Sequence, residues 1–273
     1  MNTLSGRKFI FCVSPGRSGT HYLSQIFGLV RGVCSVHEPE HQFPKYSELK
    51  PHKWNLKQNL LSDSFTDRKQ LKFWQIDDLM TTSHADTYVE TNPMFCTLWH
   101  DVILSEASNY DIKVIILRRN SVDVLKSILD LGWYSERNGD HWMVSAYSAN
   151  SLFSPPRNEV QASPTDYVIG HLVNAELYTQ KITKTCLALG YDVIEVSSND
   201  LFNDVESVLT LLSKCALETD RQKIQKILQS KHNKPAARKK YCDVPIELCT
   251  HEINEYLSAC NKAEVKIPRL FFS

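Results

Sequence analysis

Short apolar runs alternate with amphipathic stretches along the chain, a pattern that predicts strands separated by helices. Residues 8–13 form a β-rich apolar run that stops at Ser14-Pro15-Gly16, and beyond Gly19 the residues Tyr22, Leu23, Ile26, Phe27 and Val30 recur at helical spacing. Further strands are expected at 32–36, 87–90 and 192–196. The continuous run Lys-Val-Ile-Ile-Leu at 113–117 reads as a strand buried on both faces, and it leads into a helix with Val122, Leu125, Ile128 and Leu129 on one side. Strands alternating with helices imply parallel pairing. The predicted architecture is an α/β fold with a central parallel sheet flanked by helices, a three-layer P-loop-like nucleotide-binding fold.

The rhythm breaks at 132–166, where Gly132, Pro155, Pro156 and Pro164 mix with Trp133, Tyr134, Trp142, Tyr147 and Phe153. A loop that long and that aromatic reads as an ordered cover over a substrate. The last third is mainly helical, with Val205, Val208, Leu209 and Leu212 as one core stripe and Ile224, Ile227 and Leu228 as another. A basic stretch at 231–240 follows. At 273 residues one domain, 1–273, is the expectation.

Composition narrows the function. Thirty-one Lys and Arg balance thirty-one Asp and Glu, so no global field draws the chain to nucleic acid or an anionic membrane, and phosphate affinity must be local. No apolar run reaches the length of a signal-peptide core or a spanning helix, and the eight cysteines form no CxxC pair. These features predict free thiols in a soluble cytoplasmic protein.

The chemistry gathers after the first strand. Pro15-Gly16-Arg17-Ser18-Gly19-Thr20 links a strand to a helix, where unpaired backbone N–H groups and the positive helix end favour an anion. Gly16 and Gly19 allow close approach, Ser18 and Thr20 add hydroxyl donors, and Arg17 adds charge. The loop lacks the Lys-Ser/Thr that follows the last glycine of a nucleotide P-loop, which disfavours a magnesium-dependent kinase. It resembles instead the 5′-phosphosulfate loop P-x-[RK]-S-G-T of the sulfotransferases that use 3′-phosphoadenosine 5′-phosphosulfate (PAPS), and every position is filled. Arg119, ending the fourth strand, and Ser127, eight residues on, stand in the relation that family uses to hold the 3′-phosphate. The resemblance covers residues 8 to 130 and, more faintly, 194–204, where Ser198-Asn199-Asp200-Leu201 replaces the family's Tyr-Glu-Asp-Leu.

The resemblance implies a cofactor site for PAPS, and for its product 3′-phosphoadenosine 5′-phosphate (PAP), built from Pro15, Gly16, Arg17, Ser18, Gly19, Thr20, His21, Tyr22, Arg119, Ser127 and Ser198. Tyr22 is a candidate to stack on adenine in place of the missing Tyr. Arg238 and Lys239 lie where the family's late basic loop closes on the 3′-phosphate. No metal is required, and the expected partner is a small-molecule acceptor with a hydroxyl or amine.

Transfer needs charge stabilisation on the leaving oxygen, a role that fits Arg17, and a base for the acceptor's proton. Glu38, just after the second strand, is the first candidate base, with His37 and His41 as alternatives. The same residues spell the zinc motif HExxH, but Pro39 opposes the single regular helix that motif needs. In Glu90-Thr91-Asn92-Pro93 the family's usual Lys or His is absent, which leaves Asn92 as a neutral group near the reacting centre. The rival reading from another class is a PAPS- or PAP-binding protein without turnover.

Overall fold

The computed structural model describes residues 4, 6–49, 62–133, 143–148, 150–232 and 242–272. Among them, β1 (Lys8–Val13), β2 (Val33–Val36), β3 (Thr87–Glu90), β4 (Asp111–Arg118) and β5 (Asp192–Ser197) form one sheet in the order β2-β3-β1-β4-β5. All pairs are parallel, with Phe11 opposite Glu90 and Val13 opposite Ile116. Parallel strands need crossover connections, and the helices that make them cover both faces.

Alternation along β1 shows the three layers. Phe9, Phe11 and Val13 point into a core with Tyr88, Phe95 and Trp99, beneath α3 (Ser62–Ser83), α4 (His100–Leu104) and α6 (Pro164–Ala188). Ile10 and Cys12 point the other way, into a core with Leu23 and Phe27 of α1 (Thr20–Phe27) and Val208 and Leu212 of α8 (Val205–Lys214). A third cluster joins Leu125 of α5 (Ser121–Asp130), Ile169 of α6 and Ile253 of α10 (Ile246–Lys262).

The segment read as an insertion over 132–166 ends earlier. Pro164 is the first residue of α6, and Ser163 caps it in a reciprocal box with Asp166, so the last residues of that span are helical. Tyr134 and Trp142 lie outside the described residues; Phe153 packs against the third cluster. α9 (Arg221–His232) takes in Lys231, whereas Arg238 and Lys239 lie outside the described residues. Two long helices were not expected from the pattern. α3 is mostly polar yet buries Arg68 and Lys72, and α6 is buried along much of its length. No helix among the described residues is long and apolar enough to cross a membrane. The eight cysteines are free, and all but Cys242 are buried.

Candidate functional site

The chain leaves β1 towards β2 and leaves β4 towards β5, so the two connections diverge and open a crevice at the carboxyl ends of β1 and β4. Ser14 and Pro15 form one wall, Arg118 and Arg119 another, and Glu176 of α6 with Phe271 of the C-terminal tail close it.

The loop after β1 is tightly wound. Gly16, Arg17 and Gly19 all have positive φ, at 79°, 54° and 93°, a winding that turns successive N–H groups to a common side. Its carbonyls are drawn to donors: that of Gly16 accepts from Ser18 Oγ at 3.1 Å, that of Arg17 from the Arg119 guanidinium, and that of Pro15 lies 2.9 Å from His171 Nε2. Gly19 has a second constraint, since a Cβ there would stand 2.2 Å from the Phe202 ring. α1 begins directly after it, its first turn closed by Leu23 N–H donating to Gly19 at 2.9 Å. Ser18 and Thr20 are buried.

Side chains that sequence spacing assigned to separate phosphates meet here. Arg17 Nε donates to Ser127 Oγ at 3.0 Å, and Arg119 reaches the Arg17 carbonyl, so loop, strand end and α5 converge. Arg118 and Arg119 part ways at this strand end. Consecutive residues at a strand end face opposite ways, and Arg118 turns to an ion pair with Glu176 and a longer one with Glu195 at 3.3 Å. The Arg17 guanidinium also lies over the Trp133 ring, 5.1 Å from its centre.

Other predicted cofactor residues are differently engaged. Tyr22 donates its hydroxyl to the Ile227 carbonyl at 2.6 Å and packs edge-on against Phe202, and burial pushes its pKa up to about 12. That ring is part of the contact between α1 and the C-terminal helices. His21 is exposed on α1 and accepts from Gln25 Nε2 at 3.1 Å. Ser198 is buried at the start of α7 (Ser198–Asn203), beyond β5.

The candidate bases follow β2. Glu38 has φ 48°, in the left-handed region, and sits as the cap of a one-turn helix α2 (Pro39–Gln42). His37 therefore precedes the helix that contains His41, and the two do not share the helix that HExxH chemistry needs. The His41 side chain is outside the described set. His37 Nδ1 stands 2.7 Å from the Thr91 carbonyl, which can only accept, so Nδ1 carries the proton and Nε2 is the basic nitrogen of the neutral ring. Glu38 Oε1 lies 3.5 Å from that Nε2, and the His21 ring packs against His37 at 5.2 Å. Among the described residues no cluster of three His, Cys, Asp or Glu side chains is arranged to hold a metal.

Behind this turn lies a buried charge network that the sequence did not announce. Lys72 Nζ donates to Glu40 Oε1 at 2.9 Å, Glu90 Oε1 at 2.7 Å and Gln75 Oε1 at 2.8 Å, and Lys72, Glu40 and Glu90 are all fully buried. Asn92 is in the same network. Its Nδ2 donates to Glu40 and to Glu90, both at 2.9 Å, and its Oδ1 accepts from Met94 N–H at 3.0 Å, so its amide braces the network from inside. Tyr88 donates to Glu90 Oε2 at 2.7 Å. Burial raises the Glu40 pKa, opposed by Lys72 and reinforced by Glu90, while the two carboxylates outweigh burial and raise that of Lys72. The result staples the turn bearing Glu38 to the strand end whose Thr91 orients His37.

No family model and no curated protein matches the chain. Among solved structures, one described as "Sulfotransferase Domain from the Curacin Biosynthetic Pathway" is similar, with a TM-score of 0.48 and 14% identity over 93% of this chain and 98% of that one.

Proposed function

We propose that the chain is a sulfotransferase that moves the sulfuryl group of PAPS onto a hydroxyl or amine of a small-molecule acceptor. The observation that supports this reading is a convergence of side chains: Arg119 and Ser127 both end on Arg17, 102 and 110 residues away in sequence. The N–H groups of the helix start, the hydroxyls and the guanidinium groups gathered here are the donor types that a ligand with two phosphates calls for. When bound, PAPS supplies an activated sulfuryl group on a good leaving phosphate.

The residues of the chain divide the work. The loop 15–20 and the start of α1 hold the 5′ end, and Arg17 offsets charge gathering on the leaving oxygen. Arg119 with Ser127 grips the 3′-phosphate. The acceptor's proton goes to the His37–Glu38 pair: either Nε2 takes it while Glu38 steadies the resulting imidazolium, or Glu38 is itself the base. Asn92 and the Lys72 network position that pair.

The test is thermal. PAP should raise Tm well above the shift produced by AMP or ATP, because it alone fills both clamps and binding to the native state adds stability. An equal shift with AMP removes the 3′-clamp. Consumption of PAPS over a panel of small hydroxyl and amine acceptors then separates an enzyme from a PAP-binding protein, and magnesium-dependent ATP consumption would point to a kinase.

A further inference from the structure

We infer that His171, on α6, is a positioning residue of the phosphate loop that couples it to the segment 143–152, of which 143–148 and 150–152 are described. The inference rests on the anion-binding reading of the loop and is independent of the sulfuryl chemistry.

The segment is fastened to one face of α6. Asn174 Nδ2 lies 3.1 Å from the carbonyls of Val144 and Ser145, and its Oδ1 accepts from Leu152 N–H at 2.7 Å. Gly170 allows the close approach, since a Cβ there would stand 2.7 Å from the Ala146 nitrogen. Between these two residues, His171 is buried and uses both ring nitrogens. Val144 N–H donates to Nδ1 at 3.1 Å, so the neutral ring carries its proton on Nε2, which donates to the Pro15 carbonyl at 2.9 Å. Burial pushes the His171 pKa down to about 4, which keeps the ring in that neutral form.

The bond to Pro15 matters because a peptide unit is planar. Its carbonyl and the Gly16 N–H point in opposite directions, and that N–H donates to Ser14 Oγ at 3.0 Å, so the plane is held at both ends. Of the groups that donate to the loop carbonyls, Ser18 and Arg119 belong to the site itself, whereas His171 connects it to the segment. Trp133, at the other end of the insertion, makes a second link through its ring beneath Arg17. Loosening 143–152 should therefore loosen the phosphate loop through one imidazole.

Two conservative variants cut the two bonds separately. An Asn amide sits where Nδ1 was, so H171N keeps Val144 and loses Pro15; a Gln amide reaches the Nε2 position, so H171Q keeps Pro15 and loses Val144. Amide hydrogen exchange of the ligand-free protein reads the loop and segment directly, and calorimetry with PAP reads affinity. H171N should speed exchange of the amides of 16–20, leave 144–152 protected, and weaken PAP by about 5- to 10-fold, the size of one lost hydrogen bond. H171Q should restore most of that affinity. Asn174→Ala should loosen the loop in the wild type but add nothing to it in either His171 variant, and this non-additivity is the coupling. The H171Q arm alone reads it should H171N fail to fold. Unchanged loop exchange in H171N, equal losses in both variants, or full additivity with Asn174→Ala overturns the inference. Coupling seen by exchange in a protein that does not bind PAP refutes the proposed function and leaves the role of His171 standing.

Discussion

Replacing Lys72 with methionine removes the ammonium that Glu40 and Glu90 share, while keeping an apolar side chain of similar length. All three side chains are fully buried, so water cannot take over the lost contacts, and removing one partner of such a set costs about 3–5 kcal/mol. Part of that cost can be relieved by a proton. The Glu40 pKa is already raised, by burial first and by Glu90 beside it, against the pull of Lys72. Without Lys72 it rises further. A carboxyl whose folded pKa exceeds its unfolded value contributes stability below the unfolded value and loses it as pH rises through the folded one. The K72M protein should accordingly become less stable above about pH 4.5, by roughly 1.4 kcal/mol per pH unit for each extra proton the folded state holds. Urea unfolding at pH 5 and pH 8 measures this. The deficit against the wild type should be larger at pH 8, and adding Glu40→Gln should recover much of it. A deficit under about 1 kcal/mol at both pH values, with an unaltered slope, would refute a dry, charge-sharing network.

Arg119→Ala should weaken PAP by about 1.5–3 kcal/mol in calorimetry, the size of a lost charged hydrogen bond. Arg118→Ala, which breaks the pairing with Glu176, should lower Tm and leave PAP affinity within about twofold, since that guanidinium faces α6. Glu38→Gln should reduce kcat by about 10²- to 10⁴-fold without changing PAP affinity; if turnover survives there and is lost in His37→Ala, the base is the imidazole. Gly19→Ala should lower stability by about 1–3 kcal/mol in thermal unfolding, because the new methyl meets the Phe202 ring at a left-handed position.

What the sequence determined by itself is what neighbouring residues decide together. β1 was expected at 8–13 and β3 at 87–90, and both lie there: β1 because a strand buried on both faces carries a run of apolar residues, β3 on the β-favouring Thr87, Tyr88 and Val89 alone. The strand–loop–helix unit at 8–27 was equally legible: its three parts are contiguous, and glycine is the residue for the left-handed turns at 16 and 19. Arg119 and Ser127 could be read together because they lie in a single β–α unit; that each bonds Arg17 could not. Tertiary structure alone decided the rest. Lys72 on a polar helix reads as a solvated residue until Glu40, 32 positions earlier, and Glu90, 18 later, enclose it. His171 has no local signal, because its partner Pro15 is 156 residues away. Asn92 and Tyr22 were read for their proximity to the chemistry, but their hydrogen bonds depend on Glu40, 52 residues from Asn92, and Ile227, 205 from Tyr22. Periodicity reports which face of an element is apolar; which polar groups become partners in the dry interior is settled by chain crossovers that bring distant residues together, and the cost of burying them unpaired then enforces the match.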